Sequence, residues 1–157
     1  MKTDKQQRTS DHSIEPLLGA HLITPRCGYC HHGIYVGEGR VVHYAGFGDG
    51  HRCGPVEEIP LARFAAGHEV WVKVEAWPKY NGTDAVRRAR SRLGENCYRL
   101  WSNNCEHFCT WCLHDENRSE QVETWLTEPL AALHTALRLL LVETAARLSL
   151  SRTAYVF

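Results

Sequence analysis

The stretch GIYVGEGRVVHY, residues 33–44, restricts the possible folds more than any other part of the chain. Two β-branched and aromatic runs flank a Gly-Glu-Gly connection, which suits strands joined by a tight turn. Folding the hairpin about Gly37-Glu38-Gly39 places residue 31 roughly opposite 44 or 45 and next to His43. Two antiparallel strands are therefore predicted, with His31 and His43 as neighbours. Upstream, HLIT is a short strand closed by Pro25. Residues 45–55, rich in Gly, read as a loop. VEEIPLARFAAG reads as a short strand and a turn of helix. EVWVKVEAW alternates Val70, Val72 and Val74 against Trp71, Lys73 and Glu75, the period of a strand with unlike faces.

Helical signals follow the strand signals. After the PKYNG turn, Thr83 can cap a helix through Leu93, with Val86, Ala89, Arg90 and Leu93 along one side and Gly94 ending it. ENCYRLWSNN is connector or strand. Ser102, Asn103 or Asn104 then caps a helix to about His114, on which Cys105, Phe108, Cys109 and Cys112 form a single inward stripe. A longer helix is predicted over about 120–149, with a break or fresh start at Pro129. The class is α+β, an antiparallel sheet packed against helices. The chain divides into a flexible tail (1–16), a sheet-and-helix domain (17–116) and a C-terminal helical extension (117–157).

Composition narrows the chemistry. Eighteen basic and eighteen acidic side chains in 157 residues cancel, so no global field favours nucleic acid. Seven cysteines, an odd number, without an N-terminal signal segment point to reduced thiols in a cytoplasmic setting. No run approaches the ~20 apolar residues that a spanning helix needs.

Attention then falls on NNCEHFCTWC, residues 103–112, where a cysteine opens a helix. A free thiol with a pKa of ~8.5 is mostly protonated at neutral pH, and helix-start amides can lower it. The same amides can hold the oxyanion of a tetrahedral intermediate. A buried small hydrophobe would also fit Cys105, although polar Asn104 and Glu106 flank it. The general base must come from elsewhere, and the paired hairpin imidazoles of His31 and His43 fit: one accepts the thiol proton, the other fixes its tautomer.

HHGIYVGEGRVVHYAGF followed by NNCEHF resembles the lecithin retinol acyltransferase family, which includes the H-Ras-like suppressor phospholipase/acyltransferases and bacterial members. The resemblance covers about Gly19 to Leu113. It implies a circularly permuted relative of the NlpC-type papain-like fold, with Cys105 as nucleophile, His31 as general base and His43 as second histidine, twelve residues apart as in the family. Asn104, Glu106, His32 and Tyr35 are then candidates for oxyanion or local support. His32 stands where vertebrate members often carry Trp, so either of the adjacent histidines could act. The implied chemistry is transfer of an acyl group from a phospholipid or similar donor through a cysteine thioester to an alcohol, an amine or water, with no cofactor.

Two alternatives stay open: a cysteine amidase or peptidase of the same superfamily, and a non-catalytic module stabilised by zinc on Cys27, Cys30, Cys109 and Cys112. In the C-terminal segment, Leu126, Leu130, Leu133, Leu137, Leu140 and Leu141 fall at helical spacing. That stripe suits burial against the domain, a homodimer contact, or peripheral contact with lipid.

Overall fold

The computed structural model describes residues 6–8, 15–46 and 53–128, together with Leu133 and Leu137. Strands β1 (Gln6–Arg8), β2 (His21–Arg26), β3 (Tyr29–Gly37), β4 (Arg40–Gly46), β5 (Gly54–Pro60) and β6 (Trp71–Lys73) form one six-stranded sheet in the order β1-β6-β2-β3-β4-β5. Every pairing is antiparallel. Four helices accompany it: α1 (Leu61–Ala65), α2 (Gly82–Ser91), α3 (Cys105–His114) and α4 (Glu120–Thr127). The α+β class expected from the sequence is the one observed.

The hairpin register follows the sequence expectation. Gly33 pairs with His43, Ile34 with Val42 and Tyr35 with Val41, and a bulge before Gly37–Arg40 closes the turn. Gly37, Glu38 and Gly39 all have positive φ, which is why glycines flank the turn. Because side chains alternate along a strand, the pleat divides the sheet into two faces. One face carries Ile34, Val36, Val42, Tyr44 and Val56 against Ala85, Val86 and Ala89 of α2 and Phe108, Cys109 and Cys112 of α3. On the other, Leu22, Tyr35, Val41 and Ile59 surround Phe64 of α1. Each fully buried large side chain here contributes roughly 1.5–3 kcal/mol.

Several elements differ from the sequence expectation. Gln6–Arg8, inside the stretch read as a tail, pairs with β6 as the edge strand. Strand β6 is only three residues long and Val74 is exposed. Helix α2 begins two residues early, with Asn81 rather than Thr83 at its N-cap and no side-chain cap bond; the Asn81 carbonyl accepts from the N–H groups of Asp84 and Ala85. Leu93 falls beyond its end, half exposed. Helix α4 ends at Thr127. Most of the longer helix expected to residue 149, with Leu130, Leu140 and Leu141, lies outside the described residues. Leu126, Leu133 and Leu137 are exposed. Among the described residues no helix is long and apolar enough to cross a membrane.

Candidate active site

Asn104 fixes the start of α3. Its side-chain oxygen accepts from the N–H groups of Glu106 (2.9 Å) and His107 (3.0 Å). The His107 ring in turn accepts from the Asn104 N–H at 3.4 Å, a capping box with histidine in the usual Glu position. Cys105 is the first helical residue and is buried. Its sulfur accepts from the backbone N–H groups of His32, Glu106 and Cys105 itself. The ladder between β3 and β4 stops at Gly33–His43, and the His32 N–H, just beyond that last pair, turns to the sulfur.

The resting thiol is not ionised. The sequence suggested a pKa lowered by helix-start amides; burial instead pushes the Cys105 thiol up to about 12, with the Glu106 charge adding to it and the three N–H groups opposing. Desolvation of a fully enclosed sulfur outweighs half a unit of dipole charge.

His31 and His43 occupy the face opposite α3, where their Nε2 and Nδ1 atoms are 2.8 Å apart and their rings nearly perpendicular. Phe64 packs against both, with ring centres at 5.3 and 5.7 Å. His43 Nε2 is buried without a hydrogen bond among the described groups, with Glu57 Oε1 3.3 Å away. That carboxylate favours the proton on Nε2. His43 Nδ1 then accepts from His31 Nε2–H, which leaves His31 Nδ1 as the basic nitrogen. Burial lowers the His31 pKa well below its ordinary value, with the His43 and Arg26 charges adding. Burial also lowers His43 to about 4, helped by Arg26 and Arg63. Both imidazoles are neutral at pH 7.

A cavity of about 390 Å³ opens beside them, its wall including Arg26, Tyr29, His31, His43, Arg63 and Phe64. The Cys105 sulfur, on the α3 side, acts electrostatically on both Tyr29 and Arg26, two residues of this wall.

His32 points the other way. Its Nδ1 is 2.8 Å from His21 Nε2 and its Nε2 3.0 Å from Gln121 Nε2. His21 bonds through Nδ1 to Glu75, which also takes His114 at 3.0 Å. Both nitrogens of His32 are thus engaged, and burial lowers its pKa as well. Glu106 is buried and accepts from Ser119 (2.6 Å), the Gln121 N–H (3.0 Å) and Lys73 (3.3 Å). Burial works against this carboxylate, but His32, Ser119, Gln121 and Lys73 outweigh it and hold Glu106 below the usual range. Gln121 also clamps β3, accepting from the Cys30 N–H and donating to its carbonyl. Tyr35 lies at the turn end of β3, bonded to Glu15 and the Gly39 N–H.

The sequence reading missed Gln121, Ser119, Lys73, His21 and Glu75. They come from three separate segments, around residues 21, 73–75 and 119–121, and no local spacing joins those segments. The cysteines considered for zinc are dispersed: Cys109 and Cys112 lie in the core, Cys30 is half-buried and Cys27 exposed. Among the described residues no group of three or more His, Cys, Asp or Glu converges as a metal site.

A family model described as lecithin retinol acyltransferase matches residues 14–118. Human phospholipase A and acyltransferase 2 is 32% identical over 123 residues, covering 68% of this chain and 76% of that protein. Lecithin retinol acyltransferase of Mus musculus is 30% identical over 132 residues, and that of Rattus norvegicus 31% over 134. Those matches take in 67% and 68% of this chain but 57% and 58% of the rodent proteins, so the chain spans less than two thirds of their length. The matched region runs from before β2 to beyond α3 and contains the helix-start cysteine and both hairpin histidines, and the chain belongs to the lecithin retinol acyltransferase family.

Proposed function

We propose that the chain is a thiol-dependent acyltransferase or phospholipase that takes an acyl group from a phospholipid or similar donor onto Cys105. The acyl group then passes to an alcohol, an amine or water. The observation that carries this reading is the buried bond between two neutral imidazoles, His31 and His43, beside a cavity whose wall the Cys105 sulfur reaches electrostatically. The family name and the human relative's name both contain acyltransferase, and the latter adds phospholipase A. A thiol at the start of a helix packed on a sheet, with histidines on the strands, also fits a permuted papain-like arrangement.

In the first step the sulfur attacks the ester carbonyl as His31 Nδ1 takes its proton. Because the thiol titrates near 12, proton transfer accompanies C–S bond formation rather than preceding it. The imidazolium is shared through His43 toward Glu57. The helix-start amides that bond the resting sulfur then stabilise the oxyanion two bonds away. Collapse breaks the C–O bond, and His31 returns the proton to the departing alcohol. The acceptor then loses a proton to His31 as it attacks the thioester, the C–S bond breaks, and His31 returns the proton to the Cys105 sulfur. Asn104 and Glu106 act as supports: the first aims the amides and the second anchors the start of α4. The exposed Trp101 and Leu126 support peripheral contact with lipid from a cytoplasmic location.

Incubation with phosphatidylcholine followed by intact-mass measurement tests this. One acyl mass, removable by hydroxylamine and absent from Cys105→Ala, is expected. Failure of any donor ester to acylate the protein, with no lyso-lipid formed, would refute the reading.

A further inference from the structure

The cavity beside His31 and His43 contains more positive charge than acid-base chemistry needs. Arg26 enters its wall with Nη1 committed to Pro25 O (2.9 Å), Thr24 Oγ1 (3.3 Å) and Ala65 O (3.4 Å) and Nη2 to Phe64 O (2.6 Å), so most of its donors are held by the chain and it contributes chiefly charge. Arg63 is different. It sits on α1, is exposed, and has no hydrogen bond or ion pair among the described groups, yet its charge reaches His43. Among the described lining residues Glu57 is the one acidic side chain, and it is turned to His43 Nε2. With both imidazoles neutral, two guanidiniums face one carboxylate, and the cavity is net positive. At about 390 Å³ it is large enough for a polar headgroup.

We propose that this cavity seats the phosphodiester of the acyl donor and that Arg63 is the residue that recognises it; this rests on the acyl-transfer reading above. His31 must return a proton to the departing alcohol, so that alcohol lies on the cavity side of the site. In a glycerophospholipid the phosphate is joined to the same glycerol, only a few bonds from the departing oxygen, and falls within the cavity. Arg63 offers it a planar fork of unused donors, the geometry that suits phosphate oxygens. The specificity is therefore for an ester donor carrying a phosphodiester, over a neutral ester.

The binding test uses the full chain as Cys105→Ser, titrated with sn-glycero-3-phosphocholine while the His31 and His43 ring resonances are followed. Saturable shifts are expected, weakened about tenfold by Arg63→Gln, partly restored by Arg63→Lys, and unchanged by Arg87→Gln, which alters an exposed arginine on α2. Inorganic phosphate should bind at least tenfold more weakly than the diester; equal binding would assign the cavity to free phosphate and overturn the headgroup assignment. Unchanged diester binding in a folded Arg63→Gln protein would also overturn it. In the unmutated background, Arg63→Gln should lower the ratio of kcat/KM for phosphatidylcholine over a p-nitrophenyl ester about tenfold, and an unaltered ratio counts against the proposal. Acylation that proceeds while diester binding ignores Arg63 would defeat this inference alone. Binding through Arg63 without acylation by any donor would defeat the acyl-transfer reading instead.

Discussion

At Cys105 two opposed influences meet. Three backbone N–H groups converge on the sulfur and favour its anion, while complete burial and the Glu106 carboxylate oppose it. Burial wins, and this has a direct consequence for labelling. With iodoacetamide at pH 7 the exposed Cys27 and Cys97 should react first and Cys105 far later, its rate rising about tenfold per pH unit because its thiol titrates near 12. Timed peptide mapping measures the order, and Cys105 reacting first at pH 7 would contradict the enclosed, protonated sulfur. Asn104 sets the aim of those N–H groups. Its side chain accepts from one of them, the Glu106 N–H, and from the His107 N–H, and also donates to Leu100 O at 2.9 Å. Asn104→Ala should cost about 1–2 kcal/mol in denaturant unfolding and depress kcat more than it raises KM, whereas Asn104→Asp keeps the acceptor and recovers most of the stability. The proposed reactive residues, Cys105, His31 and His43, were legible from NNCEHF and the two hairpin histidines, and all three are buried. Their protonation was not, because desolvation depends on what the rest of the chain stacks over the sulfur.

The hairpin of β3 and β4 and the apolar stripe of α3 were readable because period-two and period-3.6 patterns decide which side chains share a face. Cys105, Phe108, Cys109 and Cys112 are all buried, as the stripe required. The same pleat puts adjacent His31 and His32 on opposite faces, one toward His43 and Phe64, the other toward His21 and Gln121. What no local pattern shows is the contact between elements distant in sequence, such as Gln121 of α4 clamping Cys30 of β3. Gly33 illustrates the same limit. In the strand it looks like a weak spot, yet a Cβ there would stand 2.5 Å from Val41 Cγ1, 2.9 Å from Phe64 Cε2 and 3.3 Å from His43 Cβ. It is the space that lets the Phe64 ring lie against both imidazoles. Gly33→Ala should therefore destabilise by about 1–3 kcal/mol and, by displacing His43, lower kcat on the order of a hundredfold. Thermal unfolding and steady-state kinetics of the variant check both effects. Near-normal turnover would mean the paired imidazoles tolerate movement that the proposed mechanism does not allow.

Among the described residues, four imidazoles are buried with burial lowering their pKa: His31, His32, His43 and His107. Unfolded, each would titrate near 6.5; folded, they resist protonation, with His43 held down to about 4. Between those values the unfolded chain binds more protons than the native one, so stability is complete above about pH 6.5 and is lost as pH falls toward 4. For His43 alone the loss by pH 5 is about 2 kcal/mol. The lowered carboxyls act in a separate window: Glu75, which burial would raise but His21, His114 and Lys73 bring down to about 2, contributes stability present above its unfolded value near 4.5 and lost only below it. Urea midpoints compared at pH 7 and pH 5 therefore isolate the imidazoles. The midpoint should fall with an unchanged m value, and His43→Gln should flatten the slope while lowering the pH 7 value through the unpaired His31 Nε2–H. A parent protein equally stable at both pH values would show that these rings are accessible to protons in the folded state, which the enclosed His31–His43 pair does not permit.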